Sequence, residues 1–374
     1  TYISMIAIFE LGLTYLPLDP EYPKSRLDFM LLDSDCAIVI TNMEYKVLFS
    51  LPIVFVENLE ECNDFSPHPS VDDSEVAYII YTSGTTGYPK GVTITYKSLK
   101  SYVYDFIEKI PLNKDLCLIS FTNPCFDLFF NESVLPIFYG MTVVIGNTSF
   151  LGIRRILHQI KEYHVDTYVF TPSKMQLFLE LAKTVAFLQN AKFIMLGGEG
   201  LPINLLNKLQ NNTSAFIYNL YGPTEATVFC TYANLTQSKT IHAGKPFTHS
   251  KILIDQHDGG SLGEILISGD GIFKEYLNQP DLTAQKKKYI NNEIFYRSGD
   301  LGYINDQDNL VVVGRIDEQI KFNGHRIELN EIESLAERID NINKAIAFVS
   351  FSNRLILVYS AIEDINPYTI IKYL

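Results

Sequence analysis

Six small residues in a row, Thr82, Ser83, Gly84, Thr85, Thr86 and Gly87, are followed by Tyr88, Pro89, Lys90 and Gly91. These residue types suit an anion. Glycines let backbone N–H groups approach charged oxygens, hydroxyls donate further hydrogen bonds, and a lysine adds a point charge. The lysine follows Tyr-Pro and precedes a glycine, so the stretch is not the G-x-x-x-x-G-K-[ST] P-loop. A surface linker has much the same composition. A linker, however, has no use for the apolar run "VAYIIY" (76–81) on one side and "VTITY" (92–96) on the other, both of which read as strands. Asp127 is the second residue of interest. It stands among Phe126, Leu128, Phe129 and Phe130, where a charge is costly unless paired. A helix N-cap explains such an aspartate, and so does a pair with a substrate cation.

The elements that must hold these residues alternate along the chain. Helix-like segments at 1–12, 24–35, 98–110, 153–165 and 203–210 are interleaved with strand-like runs, among them "CAIVITN" (36–42), "LCLIS" (116–120), "DTYVF" (166–170), "AKFIML" (191–196) and "AFIYNLY" (215–221). Such alternation reads as doubly wound α/β layers. The run "AKFIML" ends in Gly197 and Gly198, which leave room for a ligand against bare backbone. At 374 residues the chain exceeds one compact core, so two or three domains are expected. Hydrophobic residues make up 47% of the chain, as in a globular protein. A net charge of −13 argues against nucleic acid as a partner. The five cysteines, Cys36, Cys62, Cys117, Cys125 and Cys230, share no C-x-x-C spacing and read as reduced thiols of a cytoplasmic protein. No apolar run reaches the ~18–20 residues of a membrane span, and no signal peptide is evident. Thr1 is no natural start, and a piece of something larger is expected.

Taken whole, "YTSGTTGYPKGV" (81–92) resembles the signature loop of the adenylate-forming superfamily: acyl-CoA synthetases, luciferases and the amino-acid adenylation domains of nonribosomal peptide synthetases. Five more stretches resemble that family's motifs in order. They are "FELGLTYLPLDPEYP" (9–23), "YGPTE" (221–225), "GEILISGDGIFKEYLNQPDLT" (263–283), "YRSGDLG" (296–302, with Ser298 for the usual threonine) and "GRIDEQIKFNGHRIE" (314–328).

The resemblance implies a large N-terminal part over 1–315, made of α/β layers and a β-rich subdomain, and the start of a small mobile α+β domain over 316–374, with a hinge near Asp317. It implies ATP as co-substrate, bound as AMP or aminoacyl-AMP after reaction. Thr82, Ser83, Thr85, Thr86, Lys90 and Thr224 would act on the phosphates. Gly84, Gly87, Gly198 and Gly222 would supply close backbone, Tyr221 a face for adenine, Asp300 acceptors for both ribose hydroxyls and Arg315 a cation for ribose or phosphate. Glu225 would hold Mg2+. In the amino-acid branch an aspartate at the place of Asp127 binds the substrate ammonium. The pocket positions carried over are Asp127, Leu128, Asn131, Phe170, Met195, Gly197, Leu220, Val228 and Phe229. Beyond Asp127 only Asn131 is polar, which implies an apolar side chain, valine or leucine first and phenylalanine second. The expected partner is a peptidyl carrier protein bearing phosphopantetheine, beside neighbouring synthetase domains. The family's first segment and its C-terminal "P-x-x-x-G-K" lysine are not among these residues, so weak adenylation is expected of this stretch alone. The competing readings are a ligase that loads D-alanine or another acyl group, and a non-catalytic nucleotide-binding module.

Overall fold

Five of the strand-forming runs lie side by side in parallel: Thr142–Ile145, Cys117–Ser120, Thr167–Phe170, Phe193–Gly197 and Phe216–Tyr221. Two antiparallel strands, Thr231–Asn234 and Lys245–Pro246, complete a seven-stranded sheet. The computed structural model that shows this describes residues 1–60, 70–84, 89–146, 152–182, 185–256, 260–316, 319–322, 325–350, 354–363 and 365–373. The strands Thr167–Phe170 and Phe193–Gly197 are buried at every position, as parallel strands covered on both faces must be. One face meets Leu99, Tyr102, Val103 and Phe106 of the helix Tyr96–Lys109. The other meets Phe178 and Leu179 of Pro172–Leu181, and Leu205, Leu206 and Leu209 of Ile203–Asn212. Helices on both faces make the sheet doubly wound, as the alternation predicts. Its ligands are then expected beyond the carboxyl ends of the parallel strands.

Two antiparallel units flank that end. Val76–Thr82 and Lys90–Thr95 form a hairpin in which Thr82 pairs with Lys90, and Glu275–Tyr276 adds a third strand. The glycine–hydroxyl stretch therefore connects two antiparallel strands instead of leading from a strand into a helix. A five-stranded sheet joins Lys251–Gln256, Gly263–Ser268, Glu293–Ile304, Lys287–Ile290 and Leu310–Arg315. It places Asp300 opposite Arg315. Beyond it come the hairpin Gln319–Phe322/His325–Glu328, the helix Leu329–Ala336 and the hairpin Ile342–Val349/Leu355–Ala361.

The N-terminal region departs from expectation. Residues 36–42 give only a three-residue strand, Val39–Thr41, paired in parallel with Ile53–Phe55 outside the main sheet and only partly buried. After the helix Tyr2–Glu10 the chain turns at Gly12, whose φ of +69° favours glycine, and forms a single bridge from Tyr15 to Tyr78 in place of a strand. Cys36, Cys117 and Cys125 are free thiols, Cys230 is buried, and Cys62 lies outside the described residues. Among the described residues no helix is long and apolar enough to cross a membrane.

Candidate functional site

A cleft of about 310 Å³ opens where these units meet. The hairpin brings Thr82 and Ser83 to it, the end of Phe193–Gly197 brings Gly198, and the end of Phe216–Tyr221 brings Gly222 and Thr224. Asp127 arrives from the turn before the short helix Phe129–Glu132, and Asp300 and Arg315 arrive from the five-stranded sheet. Residues as far apart in the sequence as Tyr22 and Leu335 thus face one space.

Asp300 is the best defined of them. It is 5% exposed, accepts from Arg315 Nη1 at 2.7 Å on Oδ1 and from the Tyr221 hydroxyl at 2.6 Å on Oδ2. Burial, reinforced by the Asp300 charge, holds the Tyr221 phenol well above its ordinary range. It therefore stays a donor to Asp300. Ser298 Oγ, which keeps the hydroxyl of the usual threonine, accepts from Asp300 N–H at 3.0 Å and donates to Ile265 O at 2.6 Å.

Lys90 and Glu225 are buried at 4% and 0% exposure and meet each other, Nζ to Oε1 at 4.0 Å. The Tyr276 hydroxyl donates to the same Oε1 at 2.7 Å, and Lys90 Nζ lies 4.9 Å from the Tyr276 ring centre. Neither side chain is among those lining the cleft, although Thr224, one residue away, is. Glu225 sits in the 3₁₀ turn Thr224–Ala226, after which Thr227 and Val228 take φ of +53° and +65°. That bend is fastened by Thr227 Oγ1 to Gly271 O at 2.6 Å and by Phe273 N to Glu225 O at 2.8 Å. Only a glycine fits at 222, since a Cβ there would lie 2.5 Å from Val228 O. Among the described residues no cluster of three or more His, Cys, Asp or Glu could hold a metal ion. One carboxylate nevertheless suits Mg2+, which takes few protein ligands and draws the rest from phosphate and water.

Asp127 is not a helix cap, because Leu128 occupies the N-cap position of Phe129–Glu132. Its carboxylate acts on Tyr78, whose phenol is held well above its ordinary range by burial first and by Asp127 second. Leu128, Met195, Leu220, Val228 and Phe229 are each no more than 3% exposed and belong to one apolar cluster, but of the pocket positions expected from the sequence only Asp127 lines the cleft. Gly197 is needed there: a Cβ would lie 2.5 Å from the Phe229 ring and 2.9 Å from Leu220 O. Asn131 is 2% exposed, and its Oδ1 accepts from the buried Tyr102 hydroxyl.

Phe170 is not brought to that group. It packs at 5.2 Å from both Phe121 and Phe178 in the cluster on the opposite face of the sheet. Its neighbour Val169 pairs with Met195 and shares that residue's cluster. A strand alternates faces at each residue, so the adjacent Val169 and Phe170 point to opposite sides of the sheet. The sequence reading also missed Ile327, Glu331, Ile332 and Leu335, from the end of His325–Glu328 and the helix Leu329–Ala336, which line the same cleft. Burial pushes the Glu331 carboxyl up, with Arg26, another lining residue, opposing. Only the amphipathic spacing of 327, 331 and 335 hinted at them. Thr85, Thr86, Gly87 and Asp317 lie outside the described residues.

Ser83, Asp127, Thr224, Asp300 and Arg315 thus share one cleft near the carboxyl ends of the parallel strands, an arrangement that suits a ligand bearing both an anion and hydroxyl groups. The chain belongs to the AMP-binding enzyme family, whose profile matches residues 1–277. Bacitracin synthase 2 of Bacillus licheniformis is 34% identical over 385 residues, covering 94% of this chain and 14% of its own length. Tyrocidine synthase 3 of Brevibacillus parabrevis is 30% identical over 367 residues, covering 93% of this chain and 6% of its own length. The chain thus spans a small part of these synthases. Among solved structures, the Vibrio cholerae adenylation domain AlmE, in complex with glycyl-adenosine-5'-phosphate, superposes with a TM-score of 0.86 at 21% identity, over 100% of this chain and 80% of that one. The Klebsiella oxytoca adenylation–PCP fusion NpsA-ThdA gives a TM-score of 0.87 at 20% identity, over 100% and 78%. At these identities the two structures speak for the fold.

Proposed function

We propose that this chain is the amino-acid-activating part of a nonribosomal peptide synthetase. It joins an amino-acid carboxylate to the α-phosphorus of ATP, releasing pyrophosphate, and passes the aminoacyl group to the phosphopantetheine thiol of a carrier protein. One observation carries this reading: Ser83, Asp127, Thr224 and Asp300 line a single cleft. A nucleotide and an amine-bearing substrate can therefore lie side by side.

Both reactants are anionic where they meet, so the first task is to lower their repulsion and hold them in line. The hydroxyls of Thr82 and Ser83, joined by those of Thr85 and Thr86, donate to phosphate oxygens. Lys90, paired with Thr82 on the facing strand, supplies positive charge beside them. When bound on Glu225, Mg2+ supplies further neutralisation of the triphosphate. Asp300 and Arg315 fix the ribose, and Tyr221 stands beside them for the base. Asp127 receives the ammonium, which leaves the carboxylate free to attack.

Beyond Asp127 the pocket positions carried over from the family are apolar apart from Asn131, which supports an apolar side chain at about 0.8 kcal/mol per buried CH₂. The Phe229 ring packs against Gly197 and takes up the space beside it. That supports valine or leucine over phenylalanine. Residues 1–315 form the large part and 316–374 the mobile part, which turns near Asp317 between the two reactions. ATP–pyrophosphate exchange with the full-length protein, run across the amino acids, tests the assignment. Exchange with branched aliphatic amino acids is expected. Exchange only with aspartate, lysine or arginine refutes the pocket, exchange with D-alanine alone moves the protein to the carrier-loading ligases, and no exchange with any of them refutes the reading.

A further inference from the structure

The residue following Asn131 has no part in the chemistry above, yet its carboxylate accepts four hydrogen bonds. Glu132 is 0% exposed. Its Oε2 accepts from Ser120 Oγ at 2.9 Å and from the backbone N–H groups of Phe121 and Thr122, both at 2.8 Å. Its Oε1 accepts from Thr122 Oγ1 at 2.6 Å. A buried carboxylate is tolerated only when its lone pairs are filled and a counter-charge is near. The counter-charge is Lys174, in the first turn of Pro172–Leu181, whose Nζ lies 4.0 Å from the Phe121 ring centre and 3.5 Å from Phe121 O. Burial pushes the Glu132 carboxyl up and the Lys174 ammonium down, and each charge opposes the shift of the other.

What these bonds join matters more than their number. Residues 120–122 are the carboxyl end of the parallel strand Cys117–Ser120 and the residues just after it. Glu132 closes the short helix that follows Asp127 and Leu128. A four-residue helix has almost no stability of its own, so the direction of the Asp127 turn must be fixed by something outside it. We propose that Glu132, with Lys174 as its counter-charge, is a positioning residue for the amino-acid subsite: it ties the turn that carries Asp127 to the end of the sheet and so sets where the substrate ammonium is held. This rests on the reading that Asp127 receives that ammonium.

The test is exchange kinetics on the full-length protein with its preferred amino acid, with the KM values for amino acid and ATP measured separately. Glu132→Ala removes all four bonds; a rise of at least tenfold in the amino-acid KM is expected, with the ATP KM within twofold. Glu132→Gln can keep the geometry, because its oxygen can take the three donors at Oε2 and its amide can donate to Thr122 Oγ1. Its amino-acid KM should stay within about threefold of the parent. Lys174→Met leaves the Glu132 charge unopposed and should raise the amino-acid KM. The double variant Glu132→Gln/Lys174→Met should return it to within about twofold of Glu132→Gln. If Glu132→Ala does not fold, the Lys174 pair of variants decides. A parallel rise of both KM values, or an unchanged amino-acid KM in folded Glu132→Ala and in Lys174→Met, overturns the proposal. Absence of exchange in the parent protein would instead remove the reading beneath it.

Discussion

Replacing Asp300 by asparagine should weaken ATP binding by a calculable amount. An ionised carboxylate offers about four lone-pair sites. Arg315 takes one of them at 2.7 Å and the Tyr221 hydroxyl another at 2.6 Å. Two sites remain, which is what the 2'- and 3'-hydroxyls of a ribose require. Asparagine keeps one oxygen. Its amide group cannot face the Arg315 guanidinium, donor to donor, so the oxygen must turn toward Arg315 and the NH₂ toward Tyr221. One ribose hydroxyl then loses its acceptor and the other bonds to an uncharged one. A hydrogen bond to a charged group is worth about 1.5–3 kcal/mol, against about 0.5–1.5 for a neutral one. Losing one charged bond and weakening the other by about 1–1.5 kcal/mol gives a net loss of about 2.5–4.5 kcal/mol, or roughly 60- to 1,600-fold in the KM for ATP, at 1.4 kcal/mol per factor of ten. The assay is pyrophosphate exchange with ATP and with 2'-deoxy-ATP, alongside a melting curve, because Asp300 and Arg315 also face each other across two strands. The parent should prefer ATP strongly and the variant should lose most of that preference. A folded variant with an ATP KM within twofold of the parent, or with the parent's full discrimination against 2'-deoxy-ATP, would refute the reasoning.

Two further outcomes follow from packing and from burial. Gly197→Ala places a methyl group 2.5 Å from the Phe229 ring and 2.9 Å from Leu220 O, so overpacking should lower stability by about 1–3 kcal/mol, read as a lower melting temperature; an unchanged melting temperature would mean that Phe229 does not rest there. His249 is 5% exposed, with Nδ1 2.8 Å from Asp105 Oδ2, and burial holds its imidazole below the ordinary 6.5 while Asp105 opposes. The unfolded chain therefore binds a proton that the folded chain refuses, so this contribution is complete above pH 6.5 and declines as the pH falls through 6.5 toward the folded value. Melting curves from pH 7.5 to 5.5 should show the decline and His249→Gln should flatten it; equal slopes in the two proteins would exclude the cause.

Much of the cleft was legible because its pieces are local. The β-branched runs at 76–81 and 92–96 and the glycines between them announce a strand, a bend and a strand whatever lies elsewhere, and the hairpin is observed. Tyr221, Thr224 and Asp300 were legible through motif order. The contacts that escaped are those between distant residues, such as Lys90 with Glu225, or Glu331 with the cleft, for which no spacing rule exists. Phe170 was misplaced for another reason. On a strand an error of one residue exchanges the two faces, and Val169 and Phe170 are both apolar, so hydrophobicity gives no warning. The strand expected over 36–42 shortened because this segment pairs only with Ile53–Phe55, away from the main sheet.

Thr227 and Val228 are both β-branched and both at positive φ, an arrangement that costs about 1–2 kcal/mol per residue. It persists because Gly271 and Phe273 hold the backbone from outside. The bend therefore behaves like a loaded spring, with Glu225 on one arm and Phe229 on the other. When heat or denaturant loosens the neighbouring segment, this bend should let go first. On the function proposed above, Glu225 and Phe229 would then lose their roles towards metal and substrate in the same step, before the sheet beneath them melts.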